Sequence, residues 1–176
     1  FAWRYPGLSN LPCVTAPTPA NTSLRYDYQM INVDAFEGEG EREPEPHVLQ
    51  NRGEAEYVVA FYEYLRLCGY PSETITLLTP YNGQRELLRS LLVERCKKNP
   101  LFGMPRRVTT VDKYQGQQND IVILSLVRTR ALGYLRDVRR ILVAVSRARK
   151  GLYVFGRVEL FRDCAELEPI MTKLLE

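Results

Sequence analysis

Three short blocks hold the residues of this chain that could do chemistry, and the chemistry they offer is anion binding. The first runs Leu78-Thr79-Pro80-Tyr81-Asn82-Gly83-Gln84-Arg85. The second runs from Val108 to Asp120 and contains Thr109, Thr110, Asp112, Tyr114 and the amide-rich run Gln115-Gly116-Gln117-Gln118-Asn119. The third runs from Arg139 to Arg149 and carries Arg139, Arg140, Arg147 and Arg149 among Ile, Leu, Val and Ala. Arg85 falls in the first turn of a predicted helix, where the helix dipole disfavours a cation. A bound anion, met by the free N–H groups and the guanidinium together, gives that arginine a reason. Gly116 permits a tight turn or a close approach by a ligand. Arginines beside a small apolar helix are costly without an anionic partner. On one helix, Arg140, Ala144 and Arg147 would share a face.

What is missing narrows the chemistry. No Gly-Lys-Ser/Thr sequence occurs, so the chain has no phosphate-cradling loop of its own. No Asp-Glu pair follows a strand to hold Mg²⁺. The glycine-rich run Glu37 to Glu41 is acidic and repels phosphate. His47 is the single histidine, which argues against a Ser/His or Cys/His pair. Cys13, Cys68, Cys96 and Cys164 are widely spaced with no CxxC, so a zinc site is not expected and reduced, buried thiols are. A phosphate-binding unit without its own loop or metal ligands is half of a site.

The elements that must position these blocks alternate between strand and helix. Strands are expected at Tyr28–Val33, Ile75–Thr79, Val108–Val111, Asp120–Val127 and Leu152–Phe155. Helices are expected from Gly53 to about Cys68, through Leu87, Leu88, Leu91, Leu92 and Cys96, and over Asp137–Arg149. Helical pieces follow to Glu176. Continuous apolar strands such as Ile121-Val122-Ile123-Leu124 argue an α/β fold, a parallel sheet covered by helices on both faces. Such sheets bind ligands past the carboxyl ends of their strands, so the informative residues are expected just after strands. Residues 1–27 read as an irregular lead-in and residues 37–48 as an acidic, exposed loop, leaving 28–176 as the domain proper.

Charge is placed unevenly. Eight acids stand against Arg42 and Arg52 between Asp34 and Glu56, while eleven Lys/Arg stand against three Asp between Arg106 and Lys150. The second half can therefore meet a polyanion that the first half repels. No apolar run is long enough to span a membrane. The start, Phe1-Ala2-Trp3-Arg4-Tyr5-Pro6, is no signal peptide and reads as part of a longer protein.

Together the blocks resemble superfamily 1 helicases of the RNA-directed branch that includes the nonsense-mediated-decay helicase, and within them the second RecA-like domain. Thr79-Pro80-Tyr81 with Gln84-Arg85 resembles motif IV. Val111-Asp112, Tyr114-Gln115-Gly116 and Asp120 resemble motif V. Val143-Ala144 and Ser146-Arg147-Ala148-Arg149 resemble motif VI. The match runs from about Tyr28 to Gly156, and its wording is nearest to a spliceosomal, intron-binding branch. Position 118 is Gln where the family usually has Glu, and Leu142 stands where many relatives have Asn.

The resemblance implies a RecA-like sheet, a P-loop-NTPase type of fold lacking its own P-loop. It implies ATP and Mg²⁺ held chiefly by an absent first RecA-like domain. It implies that Arg147 and Arg85 act catalytically on the γ-phosphate, with Gln84, Gly116, Gln118 and Arg149 at the nucleotide. It implies that Thr79, Tyr81, Thr109 and Thr110 face single-stranded RNA, a pre-mRNA intron in the spliceosomal case, among spliceosomal proteins in the nucleus. A degenerate binding platform and a DNA helicase remain alternatives.

Overall fold

The computed structural model describes Leu24, residues 26–33, Ala35 and residues 40–175. The expected lead-in thus lies largely outside the described residues, as do residues 36–39 of the acidic loop.

Five strands form one all-parallel sheet: β1 (Tyr28–Asn32), β4 (Ile75–Thr79), β5 (Arg107–Thr110), β6 (Asn119–Ser125) and β7 (Ala148–Gly156). Their order across the sheet is β1-β7-β6-β4-β5. β4, β6 and most of β7 are buried on both sides, which is why they read as unbroken apolar runs. Side chains alternate cleanly across the sheet. Leu78, Val122, Leu124, Leu152 and Val154 enter one core layer. Ile75, Leu77, Ile121, Ile123, Tyr153 and Phe155 enter the other.

Each layer has its own helices. α1 (Arg52–Leu67) and α2 (Asn82–Arg95) cover the second layer through Ala55, Val58, Val59, Tyr62, Leu65, Leu88, Leu91 and Leu92. α3 (Val138–Val145), α4 (Val158–Arg162) and α5 (Glu168–Leu175) cover the first. α1 starts where Asn51 accepts the Glu54 N–H, an N-cap that satisfies a first-turn donor. It stops before Gly69, which takes φ +92. A three-way ion pair ties the two helices of that layer, Arg95 meeting Glu56 at 2.9 Å and Glu63 at 2.5 Å.

Three expectations change. Residues 42–50 are not a loop: β2 (Arg42–Glu45) and β3 (Val48–Gln50) form a small antiparallel hairpin, and Glu41 just before it is buried. Glu–Pro alternation hid this hairpin, because its stabilising contacts lie on α2 rather than within itself. β6 ends at Ser125 and not at Val127, since Val127 takes φ +72, a conformation no strand allows. α3 ends at Val145, because Ala148 already pairs with Asn119 at the start of β7. Arg147 is therefore outside the helix, and the shared face of Arg140, Ala144 and Arg147 does not exist.

Candidate functional site

Arg147 sits in the turn that brings the chain from α3 into β7. Its Nε donates to the Val143 carbonyl at 2.9 Å, Nη1 to the Gln117 carbonyl at 3.4 Å and Nη2 to Ser146 Oγ at 2.8 Å. Its own carbonyl accepts the Asn119 N–H. All three guanidinium partners are neutral oxygens, and among the described residues no carboxylate pairs with it. Every other basic residue of the third block has found a compensating group. Arg139 pairs with Asp137 at 3.0 Å, and Arg149 and Lys150 lie 3.9 and 3.1 Å from Asp120. Arg140 lies over the Tyr134 ring, 3.7 Å from its centroid. The cost inferred from sequence for this whole block thus falls on Arg147 alone.

Arg147 and Gln118 precede strands, at the amino ends of β7 and β6, where the sequence reading places informative residues after strands. The reason is the shortness of the second block. Only eight residues separate the end of β5 at Thr110 from the start of β6 at Asn119, so this connection must carry the amide run back along the whole sheet. Gly116 makes the bend at φ +77 with nothing near its missing Cβ. Gly116 and Gln118 are exposed. Tyr114 anchors the connection, buried in the core with its hydroxyl 3.3 Å from Thr76 Oγ1.

Arg85 occupies the first turn of α2, past the carboxyl end of β4. Its Nη2 meets the exposed Glu86 carboxylate at 2.6 Å. Arg85 thus follows the carboxyl end of β4, whereas Arg147 precedes the amino end of β7. Gln84 is corrected more sharply. It is wholly buried, its Nε2 donating to the Asn51 carbonyl and Ser125 Oγ while its Oε1 accepts the Asn51 N–H. That amide is occupied by the fold and is not open to a nucleotide.

The four strand-end residues expected to face RNA divide in two. Thr79 and Thr110, paired across β4 and β5, are buried at 0% and 5% exposure. Thr109 and Tyr81 are half-buried. Tyr81 packs at 5.8 Å against Tyr134, whose hydroxyl donates to Asp112 at 3.2 Å. Burial pushes the Tyr81 phenol up to about 12, with Arg128 drawing it back.

Sequence reasoning missed a wholly buried acid. Glu54 is 0% exposed and accepts hydrogen bonds from Ser125 Oγ and from the Val127 N–H, the latter at 2.9 and 3.1 Å to its two oxygens. Burial pushes its carboxyl up to about 7, against these hydrogen bonds. A second buried acid, Glu41, accepts the Thr129 N–H at 2.6 Å and lies 3.2 Å from Arg128 Nε. The only local signal for Glu54 was an Asn three residues ahead of a Glu, which reads as a cap. Among the described residues no group of three or more His, Cys, Asp or Glu is placed to hold a metal ion.

Comparison with known proteins adds the family. The AAA domain family matches residues 9–159. The chain is a member of the AAA domain family. RNA helicase aquarius of Mus musculus is 56% identical to it over 177 residues, 99% of this chain and 12% of the mouse protein. Pre-mRNA-splicing factor cwf11 of Schizosaccharomyces pombe is 36% identical over 155 residues, 88% of this chain and 12% of that protein. DNA polymerase alpha-associated DNA helicase A of Saccharomyces cerevisiae is 35% identical over 117 residues, 65% of this chain and 16% of that protein. This AAA domain therefore spans 12% of the length of the first two relatives. Its likeness to helicases rests on the three blocks and on these relatives together, and its parallel sheet between two helical layers is the expected RecA-like α/β arrangement.

Proposed function

We propose that this AAA domain is the second motor half of an ATP-dependent RNA helicase acting in pre-mRNA splicing in the nucleus. The observation that carries the reading is Arg147, a half-buried guanidinium held in place by three neutral oxygens, with no acid among the described residues to neutralise it. Such a group is pre-positioned for an anion supplied from outside the domain. ATP, with its Mg²⁺, is held by a first RecA-like domain beyond this chain, and closure of the two halves brings Arg147 to the γ-phosphate. There it stabilises the charge of the departing phosphoryl group. Gly116, Gln118 and Arg149 flank the same amino-end surface and meet the nucleotide. Arg85 also reaches the phosphates and exchanges Glu86 for them. Gln84 supports Arg85 from within the core.

Single-stranded RNA lies across the carboxyl ends of β4, β5 and β6. Tyr81 and Thr109 face it, and the buried Thr79 and Thr110 hold their strand ends in register. The names of the mouse and fission-yeast relatives support RNA, splicing and a nuclear setting. A second reading, a binding platform without turnover, is favoured by the uncharged Gln118 and by the Arg85–Glu86 pair.

The test is ATP hydrolysis by the full-length protein with and without single-stranded RNA. Arg147→Ala is expected to lower turnover by about 10³-fold while sparing much of ATP binding. Turnover near that of wild type removes Arg147 from this role. A wild-type protein that binds RNA but hydrolyses no ATP decides for the platform.

A further inference from the structure

Val127 is a β-branched, fully buried residue held at φ +72, immediately past the carboxyl end of the central strand β6. Left-handed backbone at such a residue is strained and persists only where its surroundings force it. Here the forcing groups are visible. Both Glu54 oxygens accept the Val127 N–H, and Asn51 Nδ2 donates to the Val127 carbonyl at 3.2 Å. Glu41 holds the next residues by accepting the Thr129 and Arg130 N–H groups. The turn Leu126–Arg130 presents exposed Arg130 past the carboxyl end of β6, the end of the parallel strands at which Tyr81 and Thr109 stand after β4 and in β5.

The same network reaches the other side of the site. Ser125 Oγ donates to Glu54 and accepts from Gln84 Nε2 at 3.0 Å. Gln84 adjoins Arg85 in the first turn of α2. A run of wholly buried polar contacts thus joins the strained turn to the residue beside Arg85, with no water-exposed link between them. In a low-dielectric interior a fully bonded network of this kind has one good arrangement, so a shift at one end is felt at the other.

We propose that Glu54 is a positioning residue which holds the Leu126–Arg130 turn against RNA and, through Ser125 and Gln84, couples that turn to Arg85. The inference rests on the motor reading above. The experiment is steady-state ATPase of the full-length protein with and without oligouridylate, in wild type, Glu54→Gln and Ser125→Ala. Glu54→Gln places an N–H₂ against the Val127 N–H and disrupts the turn. Ser125→Ala leaves the carboxylate on Val127 and removes the hydroxyl that bridges Glu54 and Gln84, so it serves if the first variant fails to fold.

Both folded variants are expected to keep basal turnover and the KM for ATP while losing RNA stimulation about tenfold, within the usual range for coupling between sites. An unchanged stimulation in either folded variant overturns the proposal. So does an equal fall in basal and stimulated rates, which marks a structural role alone. Absence of RNA-stimulated turnover in wild type overturns the motor reading itself and this inference with it, whereas normal stimulation in wild type and in both variants overturns the coupling only.

Discussion

Half-buried Arg147 and wholly buried Glu54 each lack an oppositely charged partner among the described residues. Arg147 is an uncompensated cation and Glu54 an uncompensated acid, and the structure treats them differently. Neutral oxygens hold the Arg147 guanidinium, while burial without a cation pushes Glu54 up to about 7. That shift has a stability consequence with a definite sign. The folded state holds the Glu54 proton more tightly than the unfolded chain, whose value is near the ordinary 4.5. Stability contributed by the protonated group is full below about 4.5 and is lost as pH rises towards 7, by roughly 3 kcal/mol if the shift is fully realised. Thermal unfolding of wild type and Glu54→Gln from pH 5 to pH 8 measures it. The wild-type Tm is expected to fall relative to the variant across that range, and a pH-independent difference removes the titration from Glu54.

Among the elements, the β2–β3 hairpin and α2 illustrate how a weak local pattern is rescued by a neighbour. Gly83 in the first turn of α2 lies directly against the hairpin. A Cβ there would stand 2.6 Å from the Leu49 carbonyl and 2.8 Å from Val48 Cγ1. Gln50 Nε2 also donates to the Gly83 carbonyl at 3.1 Å. Gly83→Ala forces backbone apart rather than a flexible side-chain tip. It is expected to cost about 1–3 kcal/mol, read by denaturant unfolding, despite the better helix propensity of alanine. Stability equal to or above wild type shows that the hairpin yields. The α3–β7 junction shows the opposite case, in which an apolar helical pattern is cut short because pairing with β6 claims Ala148 onwards.

As a whole the domain is an all-parallel five-stranded sheet between two helical layers. Under the proposed reading it is half of an ATP site, so the 176-residue chain by itself is expected to give no ATP hydrolysis above background in a phosphate-release assay. Robust turnover by the isolated chain contradicts the half-site idea. Convergence of Arg85 and Arg147 on one triphosphate is checked in the full-length protein by combining their alanine substitutions. Residues acting on one transition state give losses that are far from additive, whereas independent losses that multiply assign them to separate ligands. RNA affinity is expected to fall linearly in log–log form with salt, since phosphate contacts release counterions. A flat dependence removes the polyanion from the basic half.

Composition and periodicity determined the α/β class, the five strands of the sheet and the helices Arg52–Leu67 and Asn82–Arg95, because burial on both faces leaves unbroken apolar runs and burial on one face leaves helical spacing. They also marked Arg85 and the basic block from Arg139 to Lys150 as charges needing a partner, and the family resemblance picked Arg147 out of that block. Tertiary structure decided which partners existed. It compensated Arg139, Arg149 and Lys150 with Asp137 and Asp120, withdrew Gln84 into the core, and placed Arg147 at the amino ends of the strands. Glu54 and Val127 were illegible for the same reason. A residue's charge is written in its type, but its compensation and its backbone strain depend on groups tens of residues away, which no local pattern specifies.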